Sequence, residues 1–283
     1  MTTIGKTRRA PLRPARGVLH RLEPGRYAHA RIAPPADLEE LVEHFWRVRW
    51  NLEGLPAQVQ ETLPHPNANL VVEPGRSAVY GVYSGRWTTT LQGDSQAFGI
   101  KFRPGAFRAF LGEAMTALAD RSIATAEVFG EAGRALDAVL DLDDDAASAL
   151  AAGFLRERLP PADPLARRAA AIVDAIVDDR DLHTVAALAE RHGMTVRALQ
   201  RLFSDYVGAS PKWVINRYRL HEAIARVQAG QPVAWAALAQ DLGYFDQAHF
   251  IADFRRLVGV TPAEYARQGD WPAACPRDPA RPR

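Results

Sequence analysis

Between Arg26 and Arg103 the apolar positions fall in short stretches: Leu70-Val71-Val72, Val79-Tyr80-Gly81-Val82-Tyr83 and Phe98-Gly99-Ile100-Lys101-Phe102. Turn-forming residues separate them, among them Pro64, Pro66, Asn67, Pro74-Gly75 and Gly93-Asp94. Short apolar runs bounded by such residues predict β-strands. One segment departs from this pattern. Leu38, Leu41, Val42 and Phe45 recur at helical spacing and predict a helix over Ala36–Trp46. After Pro104 the periodicity becomes helical and stays so. The acidic run Asp141–Asp145 and the segment Leu159–Pro164 punctuate the transition, and the second places a domain boundary near Pro160–Pro164. The expected fold class is α+β in two domains, a β-rich N-terminal domain with flanking helices followed by an all-α domain.

The helical half contains a repeat. Offset by 51, Leu199 matches Phe250, Phe203 matches Phe254, Val207 matches Val258, Gly208 matches Gly259, and Ser210-Pro211 matches Thr261-Pro262. Upstream the offset is 50, pairing Ala189 with Ala239 and Gly193 with Gly243. Two copies of one helix–turn–helix unit, differing by a single residue in the turn, account for every match. In the first copy, Val185–His192 predicts a short helix, Gly193 supplies a left-handed turn residue, and Thr195 caps a second helix. In the second copy, Pro232 is suited to open the first helix and Gly243 to turn the chain. Between the copies, Pro211–Ala229 reads as one helix with Trp213, Leu220, Ile224 and Val227 on one face and Gly230 to end it. At 1.5 Å per residue it spans about 28 Å, close to the spacing of about 34 Å between successive major-groove faces of B-DNA.

In a unit of this kind the start of the second helix addresses base edges. The first copy places Thr195, Val196, Arg197, Gln200 and Arg201 there. Arg pairs bidentately with guanine O6/N7 and Gln with adenine N6/N7, while apolar groups contact the thymine methyl. The second copy offers Asp246, Gln247, Ala248 and His249, of which Gln247 is the best base reader. Asp246 fits N-capping at least as well as cytosine readout. His249 fits a phosphate or base contact and packing at the helix–turn junction equally well. Arg255 and Arg256 are better placed as phosphate clamps.

The segments GMTVRALQRLFSDYVGASPKWVINRYRLHEA and LAQDLGYFDQAHFIADFRRLVGVTPAEYAR resemble the DNA-binding domain of AraC/XylS-type transcriptional regulators, over roughly Leu165–Arg267. The resemblance implies seven helices in two subdomains that bind adjacent major grooves and recruit or block RNA polymerase. It maps base readout onto Arg197, Gln200 and Arg201 in the first copy and onto Gln247 with His249 in the second. Where family members often carry a basic residue, this chain has Ala252. A weaker likeness joins ETLPHPNANLVVEP, GIKFRPGAFRAFLG and ADRSIATAEVFG to the small cupin-like sensory domain of one branch of these regulators. Candidate pocket residues are Trp46, Glu61, His65, Glu73 and Tyr83, with Trp50, Tyr80 and Trp87 beside them, although core aromatics and loop polar residues are the more ordinary account of each.

The resulting division is a basic, flexible arm over 1–25, a β-rich sensory or dimerisation domain over 26–160, a double helix-turn-helix domain over 165–268, and a disordered tail over 269–283. The chain ahead of the first strand-like region holds Lys6, Arg8, Arg9, Arg13, Arg16, Arg21 and Arg26, opposed only by Glu23, and reads as a solvated tail or as a phosphate contact. Composition adds constraints. At 283 residues, 47% hydrophobic and 24% charged, the chain suits two medium domains, and its net charge of +2 does not argue for nucleic acid. Cys275 is the one cysteine, so neither a disulfide framework nor a Cys-based metal site is expected. No secretory leader and no membrane span is visible, which points to the cytoplasm. His29, His44 and His65 lack paired metal-ligand spacing, and no metal or cofactor is expected. The expected function is sequence-specific regulation of transcription on double-stranded DNA, with a small-molecule effector and a homodimer left open. The alternative keeps the DNA reader and gives the N-terminal domain an enzymatic activity. It lacks a Gly-rich phosphate loop, a GxSxG elbow, an activated cysteine and a close carboxylate pair, so no catalytic residue is assigned.

Overall fold

A computed structural model describes residues 17–19, 25–179, 181–229 and 233–269. Its N-terminal part is built on two antiparallel sheets. Strands β1 (Tyr27–Ile32), β2 (Val42–Asn51), β4 (Asn69–Glu73), β5 (Arg76–Tyr80), β7 (Asp94–Phe102) and β8 (Ser122–Ala124) form a six-stranded sheet in the order β1-β2-β7-β4-β5-β8. Strands β3 (Gln58–Thr62) and β6 (Trp87–Leu91) form a separate ribbon.

Side chains alternate across the large sheet as its pleat requires. One face carries Phe45, Leu70, Val72, Val79, Phe98, Ile100 and Phe102, all buried, and packs on the helical segment that follows β7. That segment comprises α1 (Arg108–Leu111), α2 (Thr125–Phe129), a long 3₁₀ stretch over Gly130–Asp141 and α3 (Asp144–Arg156). Arg47 lies on the same face, almost fully buried. It donates to the carbonyls of Val139 (2.6 Å) and Leu142 (2.9 Å) and to Gln96 Oε1 (3.0 Å), and its Nε lies 3.2 Å from Asp144. The opposite face looks into an internal space that the ribbon helps to close.

Two expectations about this half are corrected. Ala36–Trp46 is not a helix: Ala36–Leu38 is a single 3₁₀ turn, and Val42 opens the ten-residue β2. Leu38, Leu41, Val42 and Phe45 are all buried, and their spacing alone did not discriminate; the period-2 run Trp46-Arg47-Val48-Arg49-Trp50, beyond a bulge between Val42 and His44, does. Nor is the chain purely helical beyond Pro104, because Ser122–Ala124 returns as β8 beside β5.

The C-terminal half holds seven α-helices among the described residues: α4 (Pro164–Asp178), α5 (Val185–Arg191), α6 (Val196–Leu202), α7 (Pro211–Gln228), α8 (Trp235–Asp241), α9 (Gln247–Val258) and α10 (Pro262–Gln268). The repeat is visible in their bounds. Helices α5 and α8 are offset by 50 at both ends, whereas the caps Thr195 and Asp246 are offset by 51. A π-turn over Phe203–Val207 extends α6 to the length of α9, and both end on left-handed glycines, Gly208 (φ 83°) and Gly259 (φ 94°). The linking helix α7 runs almost the full expected length, while Gly230 and Pro232 lie outside the described residues and α8 begins at Trp235. The two units bury separate cores, one around Leu199, Leu202 and Phe203, the other around Phe250, Phe254 and Tyr265.

Most of the basic arm and the tail beyond Gly269 lie outside the described residues. Gly17–Leu19, which fall in the stretch expected to be a flexible arm, are instead fixed between the domains. Val18 bridges to Thr62, Leu63 N donates to Gly17 O (2.7 Å), and Leu19 is buried in the second unit's core, its carbonyl accepting from Tyr265 Oη at 2.9 Å.

Candidate nucleic-acid interface and effector cavity

The starts of α6 and α9 are exposed and capped. Thr195 Oγ1 accepts from Ala198 N at 3.2 Å, and Asp246 Oδ1 accepts from His249 N at 2.7 Å. These caps satisfy amide groups that a helix start leaves unpaired. On α6, Val196, Arg197, Gln200 and Arg201 face solvent, while Leu199 and Leu202 face the core. Neither Arg197 nor Arg201 has an ion-pair partner among the described residues, so both guanidiniums are available to an incoming anion or base edge.

On α9, Gln247, His249 and Arg255 are exposed, and Ala248, Ala252, Arg255 and Arg256 line a shallow groove. Two of the candidate side chains have occupations within the fold. Asp246 is the helix cap. Arg256 is ion-paired with Asp253, which also accepts from Tyr244 Oη at 3.1 Å. His249 packs edge-on against the Tyr244 ring at 5.4 Å and still presents its outer side to solvent.

A second candidate site lies in the N-terminal domain. A cavity of about 730 Å³ opens between the large sheet and the β3–β6 ribbon. Its sheet wall is the alternate set of β2 and β4 residues, including His44, Trp46, Val48, Trp50, Val71 and Glu73. Trp46 lies flat over Gly99, where an added Cβ would come within 2.0 Å of the indole. Of the sequence candidates, Trp46, His65, Glu73 and Tyr83 line this space, as do Trp50, Tyr80 and Trp87. Glu61 does not, and its carboxylate pairs with Arg86 at 3.1 Å instead.

Sequence reasoning missed the polar wall, formed by Arg31, Glu43, His44 and Lys101, and the roof, formed by Asp174 and Asp178 of α4 with Tyr218 of α7. The alternation of β2 was the available signal for His44. The roof depends on how the domains dock, which no local pattern reports. Lys101 pairs with Glu43 at 3.0 Å, holding that carboxyl well below its ordinary value against the opposing effect of burial. Burial pushes His44 down to about 4, and Arg31 Nε donates to its Nε2 at 3.2 Å, which requires a free lone pair there.

The loop between β5 and β6 joins the cavity to helices of the C-terminal half. Tyr83 and Trp87 face the cavity. Between them, Ser84 O accepts from Arg217 of α7 at 2.5 Å and from Trp213 Nε1 at 3.3 Å, and Arg86 donates to Val258 O at the end of α9 at 2.9 Å. Nearby, His65 stacks on the buried His221 of α7 with ring centroids 4.2 Å apart. The first unit is held separately, by Arg108 over the Tyr206 ring (4.8 Å) and by Met115 against Gly208. Among the described residues no three His, Cys, Asp or Glu side chains are grouped to hold a metal ion, and no helix is long and apolar enough to cross a membrane.

Comparison with known proteins fits this geometry. Residues 188–268 match a family described as a helix-turn-helix domain, and residues 30–124 match a domain of unknown function (DUF6597). Over 82 residues the chain is 30% identical to the HTH-type transcriptional activator RhaS of Pectobacterium carotovorum subsp. carotovorum (strain PC1), a stretch that covers 29% of each chain. The match therefore spans less than a third of that relative's length. Among solved structures, the C-terminal domain of AraT, a response regulator from Geobacillus stearothermophilus, is 22% identical with a TM-score of 0.33, covering 42% of this chain and 96% of that one. Unsaturated fatty acid-bound ToxT from Vibrio cholerae is 14% identical with a TM-score of 0.37, covering 92% of this chain and 97% of that one. Overlaps this loose carry no argument about ligand or mechanism. The C-terminal half is a double helix-turn-helix DNA-binding domain joined to a β-rich domain. More specifically, that C-terminal domain is of the AraC type.

Proposed function

We propose that the protein regulates transcription by setting α6 and α9 into neighbouring major grooves of duplex DNA, under control of a small molecule held in the N-terminal cavity. The observation that carries the first part is the pairing of an AraC-type helix-turn-helix domain with unpartnered Arg197 and Arg201 beside Gln200 on the exposed start of α6. Helix α7, 18 residues long, spaces the two units by about 27 Å, a rigid separation that suits adjacent grooves. Arg197, Gln200 and Arg201 supply most of the base readout. Gln247 and His249 add a weaker contribution, and Arg255 clamps phosphate. Thr195 and Asp246 act mainly as caps. RNA polymerase is the downstream partner, a homodimer is compatible with the scheme, and the protein works in the cytoplasm. No enzymatic role is proposed.

Control by the cavity is supported by what closes it. Helices α4 and α7 of the DNA-binding half form its roof, and the Tyr83–Trp87 loop that walls it also holds α7 and the end of α9. A ligand that moves this loop changes how the two units are held relative to each other.

The test is to map genomic binding sites, then titrate the full chain with the operator and with random duplex over a range of salt. Binding should weaken steeply with salt. Arg197→Ala should cost about 1–3 kcal/mol on the operator and relax specificity at one base pair. If the parent protein and the variant bind operator and random duplex alike, the assignment of base readout to α6 is wrong.

A further inference from the structure

We infer that the N-terminal cavity takes a lipophilic organic cation, a quaternary ammonium or phosphonium centre carrying an aromatic body. The inference rests on the reading of this cavity as the effector site and names its ligand class. Size is the first consideration: about 730 Å³ is the volume of a site for a drug-sized molecule.

Wall chemistry is the second. Trp46, Trp50, Tyr80, Tyr83 and Trp87 all face the space. Tyr80 stands perpendicular to Trp87 (89°, centroids 6.4 Å apart) and is tilted 40° from Tyr83 at the same separation, so the three rings present faces in different directions. Differently oriented ring faces around one volume are the arrangement that holds an organic cation, through the negative potential over each ring. Tyr80 already attracts one, since the Arg76 guanidinium sits 5.7 Å from its centroid.

Charge is the third. Five carboxylates line the cavity (Glu39, Glu43, Glu73, Asp174 and Asp178) against three cations (Arg31, Lys101 and Arg103). Each of those cations is engaged. Lys101 is on Glu43 at 3.0 Å, Arg103 is on Glu39 O at 2.5 Å and near Asp174 at 3.6 Å, and Arg31 donates to His44. An anionic ligand would have to displace these contacts while meeting the surplus of carboxylates. Glu73 has no ion-pair partner among the described residues. Half-buried at the end of β4, it is the group that a cation would neutralise.

The experiment uses the full chain in equilibrium dialysis with tetraphenylphosphonium and with tetraphenylborate, probes of near-identical shape and opposite charge. The expected result is saturable binding of one tetraphenylphosphonium per chain, with the borate at least about tenfold weaker. Glu73→Gln should weaken the phosphonium about tenfold while leaving the neutral probe N-phenyl-1-naphthylamine unaffected. Trp87→Leu, which keeps an apolar wall but removes a ring, should weaken the phosphonium as well. Borate binding equal to or tighter than phosphonium binding overturns the inference, as does a Glu73→Gln protein with unchanged phosphonium affinity or with equal losses for the charged and neutral probes. Duplex affinity measured in parallel separates the two levels. Selective phosphonium binding that leaves duplex affinity unchanged sinks control by the cavity but not the cation site. Absence of selective binding in a protein that still binds its operator sinks the cation site alone.

Discussion

Stability should fall as pH drops below neutrality, and a single substitution at His221 should remove about 1.4 kcal/mol of that dependence. His221 is fully buried on α7, stacked on His65, and burial holds its pKa well below the ordinary value, with the neighbouring His65, Arg217 and Lys101 adding positive potential. His44 is also buried and held near 4. In the unfolded chain both imidazoles titrate near 6.5, so between pH 7.5 and 5.5 the unfolded state takes up protons that the folded state refuses. Stability therefore rises with pH in this window and is lost as pH falls through 6.5. Integrated over the two pH units, each histidine withdraws about 1.4 kcal/mol, and the pair about 2.7 kcal/mol. Urea unfolding followed at pH 7.5, 6.5 and 5.5 measures this directly. His221→Leu, which keeps an apolar group between α7 and His65, should reduce the loss by about 1.4 kcal/mol, the remainder coming from His44, His29 and the other histidines whose pKa burial lowers. A wild-type protein equally stable at both ends of the window, or a His221→Leu protein with the full wild-type loss, would refute the reasoning.

Arg47→Ala should destabilise the protein by about 3–5 kcal/mol in urea unfolding, because it strands two buried carbonyls and Gln96, whereas removal of the exposed Arg49, 2.8 Å from the same Asp144, should cost less than about 1 kcal/mol. Asp246→Ala should cost about 1 kcal/mol of stability through loss of the α9 cap, and base-substitution scans of the operator should show no new tolerance at any position. A position that becomes tolerant would make Asp246 a reader of cytosine. Gly259→Ala should lower thermal stability by at least about 1 kcal/mol, since φ is 94° and the new Cβ would lie 2.5 Å from Arg86 Nη1; an unchanged melting temperature would mean that the Arg86 contact is easily given up.

How much of this was legible in the chain differs sharply between the halves. The helix-turn-helix repeat could be read almost residue by residue, because its signals are local. Gly193 and Gly243 make left-handed turns, Thr195 and Ser210 cap within three residues, and the inward apolar positions recur every three or four residues. Even the single-residue difference between the turns showed as a change of offset from 50 to 51. In the N-terminal half, strand positions were legible but partners were not. Leu38–Phe45 fitted a helix because the apolar residues that end one turn and begin a strand happen to fall three and four apart. β8 is three residues long, too short to show alternation, and only its pairing with β5 makes it a strand.

The same distinction explains why individual cavity residues were guessed but the device was not. Aromatic side chains in β-like segments announce themselves, and Trp46, Tyr83 and Trp87 were within reach of sequence reasoning. Nothing local, however, says that Ser84 and Arg86, in a loop between two strands, will hold helices whose residues lie about 130 to 170 positions further along. A conserved-looking motif cannot be expected there either, because the loop acts largely through its backbone: Ser84 and Gly85 offer carbonyls to Arg217, and no special side chain is needed at those two positions. The specificity sits at the other end of the contact. Arg217 is almost fully buried and fixed by the Trp213 ring at 4.4 Å, so it can follow the loop only if α7 moves with it. On the proposed control by the cavity, a displacement of Tyr83 and Trp87 would pass through Ser84 and Arg217 to α7, and so to the spacing of α6 and α9.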